Sequence, residues 1–87
     1  MDDELRTEFR QADILPKGYI WVMWTDGSGF LKCPDGSSRY EYDMSPYFME
    51  GGIEYVVPET NAWNVFWGSF EAFKTFAEEK VLSMIQN

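Results

Sequence analysis

The sequence predicts an α+β fold: an antiparallel meander sheet of four or five strands packed against an N-terminal and a C-terminal helix, in one compact domain spanning residues 1–87. Three observations carry that expectation. A chain of 87 residues has room for a single small domain. Short runs of β-forming residues follow one another through turns built from Gly, Pro and Asp-Gly-Ser, the pattern of a meander rather than of parallel crossovers. Both ends carry apolar residues at helical spacing.

Residues 2 to about 14 read as an amphipathic helix. Asp2 or Asp3 caps its start, Leu5, Phe9 and Ala12 share one face, and Pro16 and Gly18 end it. Arg6 and Arg10 fall on the polar side, within reach of Asp2, Asp3 and Asp13. The run Tyr19-Ile20-Trp21-Val22-Met23-Trp24 is apolar throughout and too short for a helix, so it reads as a central strand buried on both faces. Asp26-Gly27-Ser28 turns the chain, residues 30–33 resume as a strand, and Pro34-Asp35-Gly36-Ser37 turns it again. In residues 39–44, Tyr40, Tyr42 and Met44 alternate with Arg39, Glu41 and Asp43, as in a half-exposed strand. Pro46 and the pair Gly51-Gly52 break the pattern, residues 53–57 form a fourth strand, and Trp63, Val65 and Trp67 alternate in a fifth. Ser69 caps a last helix with an apolar stripe of Phe70, Phe73, Ala77, Val81 and Met84. Phe76 and Ile85 lie beside the stripe, and Glu71, Lys74, Glu78 and Lys80 lie elsewhere.

Fifteen acidic and seven basic residues give a net charge of -8, spread evenly along the chain. A surface this negative repels phosphate backbones and anionic lipid, so neither nucleic acid nor a membrane is an expected partner. No apolar run approaches the ~18 residues of a membrane span. The polar start Met1-Asp2-Asp3-Glu4 lacks the pattern of a secretory signal, and with the single thiol this gives a cytoplasmic expectation.

Chemistry is sparse. The chain has no histidine, which removes every His-dependent triad, metal site and proton shuttle. Its one cysteine, Cys33, has no base to activate it and reads as a small buried strand residue. Asp26 and Asp35 sit in hairpin turns that lack the ligand spacing of a calcium loop. Glu41 with Asp43, and Glu78 with Glu79, pair carboxylates without the cleft that glycoside chemistry needs, so solvated faces are expected.

Aromatic content is the unusual feature: four Trp, five Tyr and seven Phe exceed what a core this small hides. Tyr47-Phe48-Met49, between Pro46 and the glycine pair, is the segment expected at the surface, with Glu41 and Asp43 supplying charge. The functional expectation is a non-enzymatic protein-interaction module without cofactor or metal. It acts as a monomer or weak homodimer on an unidentified protein, a basic one matching its charge. Two alternatives stand beside it. An acidic inhibitor or immunity-type protein, blocking a basic nucleic-acid-binding cleft by imitating nucleic-acid charge, would converge Glu41, Asp43, Glu50, Glu54 and Glu59 on one face, spaced like phosphates. A small-ligand binder would gather several Trp and Tyr around a hollow.

Overall fold

In the computed structural model, which describes residues 7–86, six antiparallel strands pair in sequence order. They are β1 (Thr7–Gln11), β2 (Ile20–Trp24), β3 (Ser28–Lys32), β4 (Ser38–Asp43), β5 (Gly52–Val57) and β6 (Ala62–Trp67). A 3-10 helix, Ser45–Glu50, joins β4 to β5, and the chain closes with α1 (Phe70–Ile85). The short turns have one chemistry. Oδ1 of Asp26 accepts from the Ser28 N–H at 3.0 Å and its hydroxyl at 2.6 Å. Asp35 repeats this with Ser37 in the next hairpin turn, and Asp43 with Ser45 where β4 runs into the 3-10 helix. These bonds to the Ser28 and Ser37 hydroxyls, then to their N–H groups, hold the Asp26 and Asp35 carboxyls below the usual range.

The sheet has six strands, not four or five, because Thr7–Gln11 of the expected N-terminal helix is a strand and residues 12–14 are a loop. Residues 2–6 lie outside the described residues. Thr7–Gln11 pairs with β2 over its whole length, from Thr7↔Trp24 to Gln11↔Ile20. Leu5, Phe9 and Ala12 gave too short a helical repeat to outweigh this pairing, which satisfies the backbone along one edge of an apolar strand. The β-period then separates the supposed helix face: Phe9 stands 69% exposed on the sheet, while Ala12 is buried. Arg10 reaches across to α1 and pairs with Glu71 at 2.8 Å, not with a neighbour in its own segment.

α1 begins as expected, with the Ser69 hydroxyl accepting from the Ala72 N–H at 3.2 Å. Phe73, Ala77 and Val81 are buried against the sheet. Phe73 is the hub, with ring neighbours Trp21, Tyr40, Tyr42, Tyr55 and Phe66 at centroid separations of 5.4–6.4 Å. Two expectations about this helix are corrected. Met84 is 43% exposed and borders an open hollow with Cys33, Pro34 and Asp35 of the β3–β4 turn. Lys74 and Glu78, assigned to the polar side, are both 1% exposed. The loop after β1 folds over them: Glu78 Oε1 accepts from the N–H groups of Asp13 at 2.9 Å and Ile14 at 3.0 Å. Its Oε2 accepts from the Trp21 indole at 2.6 Å and lies 3.0 Å from the Lys74 ammonium. Lys74 completes the cluster with a 2.7 Å bond to Asp13. Burial alone would lower the Lys74 pKa, but its bonds to Asp13 and Glu78 outweigh that and leave it raised.

One more departure lies in β4. Gly29 pairs with Tyr42, but Leu31 pairs with Arg39, so β4 holds an extra residue between those points. Tyr40 absorbs it at φ +54°, a left-handed conformation that costs a non-glycine residue ~1–2 kcal/mol. Burial of its ring beside Tyr55, Phe73 and Phe76 holds it there. The bulge moves Arg39 to the face of its partner Leu31, away from Glu41 and Asp43. Opposite Tyr42, Gly29 has no room for a side chain: a methyl group would overlap the Tyr42 ring and the Val22 carbonyl.

Candidate functional site

Among the described residues a single α-helix packs on a six-stranded sheet, so one sheet face is covered and the other is not. Strand register assigns side chains to the uncovered face. Phe9, Val22 and Phe30 lie in one row across β1, β2 and β3. Ser28, Asp43, Glu54 and Val65 form a second row across β3 to β6. Val56 and Trp63, and Gly52 and Trp67, complete the β5–β6 side. Trp63 is 55% and Trp67 60% exposed. The face is therefore aromatic at both sides and acidic between them.

It carries an open hollow of about 290 Å³ over β3 and β4, with Trp24 and Trp63 on its lining. Phe30, Ser28, Glu41 and Asp43 also line it. Trp24 is braced by Phe30 at a centroid distance of 5.6 Å. Among the described residues Asp43 is held by Ser45 through Oδ1, and Oδ2 takes no hydrogen bond. Asp43 also stands directly opposite Glu54 across the β4–β5 ladder, an arrangement of like charges that destabilises a sheet. Among the described residues no Lys or Arg pairs with Glu41, Asp43 or Glu54. Arg39 shares an adjoining hollow with Glu41 and leaves it unpaired.

Burial pushes the Tyr42 phenol up to about 12, with Asp26 adding to the effect. Burial, then Glu59, pushes Tyr40 up to about 12. Among the described residues no three Cys, Asp or Glu side chains are grouped to hold a metal ion. Cys33 is buried on the helix-covered face, beside Val81 and Met84, and does not line the hollow.

The structure brings Glu41 and Asp43 together on the uncovered face, as their alternation implied. Tyr47 packs edge-on against Trp67 at 5.5 Å and so extends that face at the β6 side. Gly52 makes this possible, since a side chain there would strike the Trp67 ring. Phe48 and Met49 project from the 3-10 helix, 71% and 90% exposed. Phe48 borders a separate hollow with Gly27 and Met44. Trp24 and Trp63 were not among the expected site residues. Their separation in sequence hides that they share one hollow; the signal available was that Trp63, Val65 and Trp67 alternate while the helices cover only one face. Of the five carboxylates that a phosphate-imitating surface would gather, Glu41, Asp43 and Glu54 share the face. Glu59 borders a hollow with Phe76 and Lys80 of α1.

No protein-family model matches the chain, and neither a curated protein nor a solved structure matches it. Among the described residues no helix is long and apolar enough to cross a membrane.

Proposed function

We propose that this protein is a non-enzymatic interaction module that engages a basic protein through the uncovered face of its sheet. One observation carries the reading: among the described residues, Trp24, Phe30, Trp63 and Trp67 stand on a sheet face that no helix covers, around carboxylates that no Lys or Arg pairs with. Exposed Trp surface is costly in a monomer and is the side-chain type that anchors protein interfaces. Unpaired acid within it selects a partner of opposite sign and speeds the encounter. The chain carries no histidine to serve as a proton shuttle, and burial pushes the Tyr40 and Tyr42 phenols up to about 12.

The imitation of a nucleic-acid backbone is the weaker account of the charge, since Glu59 lies away from Glu41, Asp43 and Glu54. A small organic cation is the second reading, favoured by the Trp24, Phe30 and Trp63 lining of the hollow. The test is capture from an extract of the source cell on immobilised wild type, Trp63→Ser and Asp43→Asn proteins, with elution by rising salt. The expected result is a protein retained by wild type, released as salt screens the charges, and lost from both variants. Equal retention by all three proteins refutes the reading.

A further inference from the structure

We infer that the Trp24–Trp63 hollow receives an arginine side chain of the protein partner, its guanidinium lying against indole and hydrogen-bonded to the carboxylates of Glu41 and Asp43. This rests on the reading of the uncovered sheet face as the interaction surface and names what that surface grips. Three features of the hollow converge on this occupant. Two tryptophans on its lining present the aromatic surface that attracts a cation most strongly, and guanidinium, being planar and weakly hydrated, stacks on indole better than ammonium does. Glu41 and Asp43 supply acceptors for a forked donor, and among the described residues Ser45 occupies Oδ1 of Asp43 while Oδ2 takes no hydrogen bond. Asp43 and Glu54 oppose each other with no Lys or Arg paired to either among the described residues, and a guanidinium at this point relieves their repulsion.

Charge complementarity fixes the sign of the occupant. A chain of net charge -8 repels a second copy of itself, and the acidic lining repels phosphate and carboxylate ligands alike. The apolar bodies of Trp24 and Phe30 further suit a side chain whose methylene stem packs while its head is paired. Lysine meets the charge but neither the fork nor the stacking plane.

The experiment is an NMR titration of the full chain with end-blocked Gly-Arg-Gly, Gly-Lys-Gly and Gly-citrulline-Gly peptides and with tetramethylammonium, following the indole N–H resonances. Saturable shifts of the Trp24 and Trp63 indoles are expected with the arginine peptide, at a dissociation constant on the order of 1 mM for a single anchor. Binding should weaken about tenfold with lysine, and about tenfold again in Glu41→Gln/Asp43→Asn. Citrulline, isosteric but neutral, should leave both indoles in place. The Trp21 indole, bonded to Glu78 at 2.6 Å beneath the helix, is the control: its unchanged resonance marks an intact fold in each variant. Indoles that ignore the arginine peptide, or respond equally to citrulline, overturn the inference. Tighter binding of tetramethylammonium overturns it in favour of a small-cation site. If the peptide fails while extract capture still depends on Trp63 and Asp43, the occupant is wrong and the interaction surface stands. If capture is indifferent as well, both readings fall.

Discussion

Replacing Glu78 with Leu should remove a large share of the stability of this protein, although Glu78 touches no part of the proposed interaction face. Its carboxylate is 1% exposed and accepts from the Asp13, Ile14 and Trp21 N–H groups while neutralising Lys74. Deleting one partner of a buried ion pair costs ~3–5 kcal/mol, because the remaining charge stays buried. The three orphaned N–H donors act in the same network, so their contributions are partly inside that figure. For a domain of this length total stability is roughly 4–13 kcal/mol, so a loss of about 4 kcal/mol leaves little margin. With a urea slope of ~1–2 kcal/mol/M, the midpoint should fall by about 2–4 M. The assay is urea denaturation at neutral pH read by tryptophan fluorescence and far-UV circular dichroism. Lys74→Met combined with Glu78→Leu should recover part of the loss, since it removes a buried ammonium that Glu78→Leu leaves with Asp13 as its one remaining carboxylate partner among the described residues. Asp13→Asn should shift the midpoint least, because its side chain is 71% exposed and water replaces the bond. A Glu78→Leu midpoint within about 0.5 M of wild type would refute the reasoning, as would a double variant no more stable than the single.

Phe73→Ala empties the centre of the aromatic cluster and should cost ~3–5 kcal/mol, read as a large fall in the urea midpoint; an unmoved midpoint would make the α1 stripe a recognition surface instead. Lys74 holds the Asp13 carboxyl below its usual 3.8, first by hydrogen bond and then by charge, and Ser28 and Ser37 do the same for Asp26 and Asp35. Their stabilisation is therefore complete above that value and is lost as pH falls through the lowered ones, so the urea midpoint should drop on acidification below about pH 4. Tyr40 and Tyr42, raised from 10.0 to about 12, act in the opposite direction: the unfolded chain ionises first, and stability should decline as pH rises from 10.0 towards 12, with late phenolate absorbance as the optical check. Cys33→Ser should leave capture of the partner unchanged and lower stability by ~1–2 kcal/mol, because the thiol is buried on the helix-covered face; lost capture in a folded variant would contradict this. No DNA or RNA should be retained in a gel-shift assay at physiological salt, and a shift that weakens steeply as salt rises would count against the assigned sign of the partner.

How far the fold was legible depended on whether local chemistry and tertiary packing agreed. Asp-Gly-Ser between β-rich runs marks a hairpin whatever surrounds it, so β2, β3 and β4 were legible, and Ser69 announced α1 in the same way. Thr7–Gln11 carries one large apolar residue, and over so few positions a helical and a strand period fit equally well. What decides it is the free edge of β2, which is a property of the sheet and not of the segment. Lys74 and Glu78 form an i,i+4 pair of the kind found on solvated helix faces; only the fold of the loop carrying Asp13 and Ile14 buries them. The extra residue in β4 is hidden because Tyr40 and Tyr42 keep their alternation while Arg39 changes face. The hollow was illegible for the same reason as the ion-pair cluster: Trp24 on β2 and Trp63 on β6 meet only once the intervening strands are laid down.

The two features that weaken the isolated monomer explain one another. An aromatic sheet face bounded by strand edges invites a second copy to stack on it. Asp43 opposite Glu54, with Glu41 nearby, places like charge where such a copy would bring its own, so face-to-face pairing would bury unpaired carboxylates against carboxylates. The acid that costs the sheet some stability is thus also what keeps the tryptophans available. A cationic partner reverses both terms together: it covers the indoles and neutralises the carboxylates, and neither gain is open to a neutral apolar surface or to another molecule of this chain. Selectivity for the sign of the partner therefore follows from placing the acid inside the aromatic face rather than around its edge.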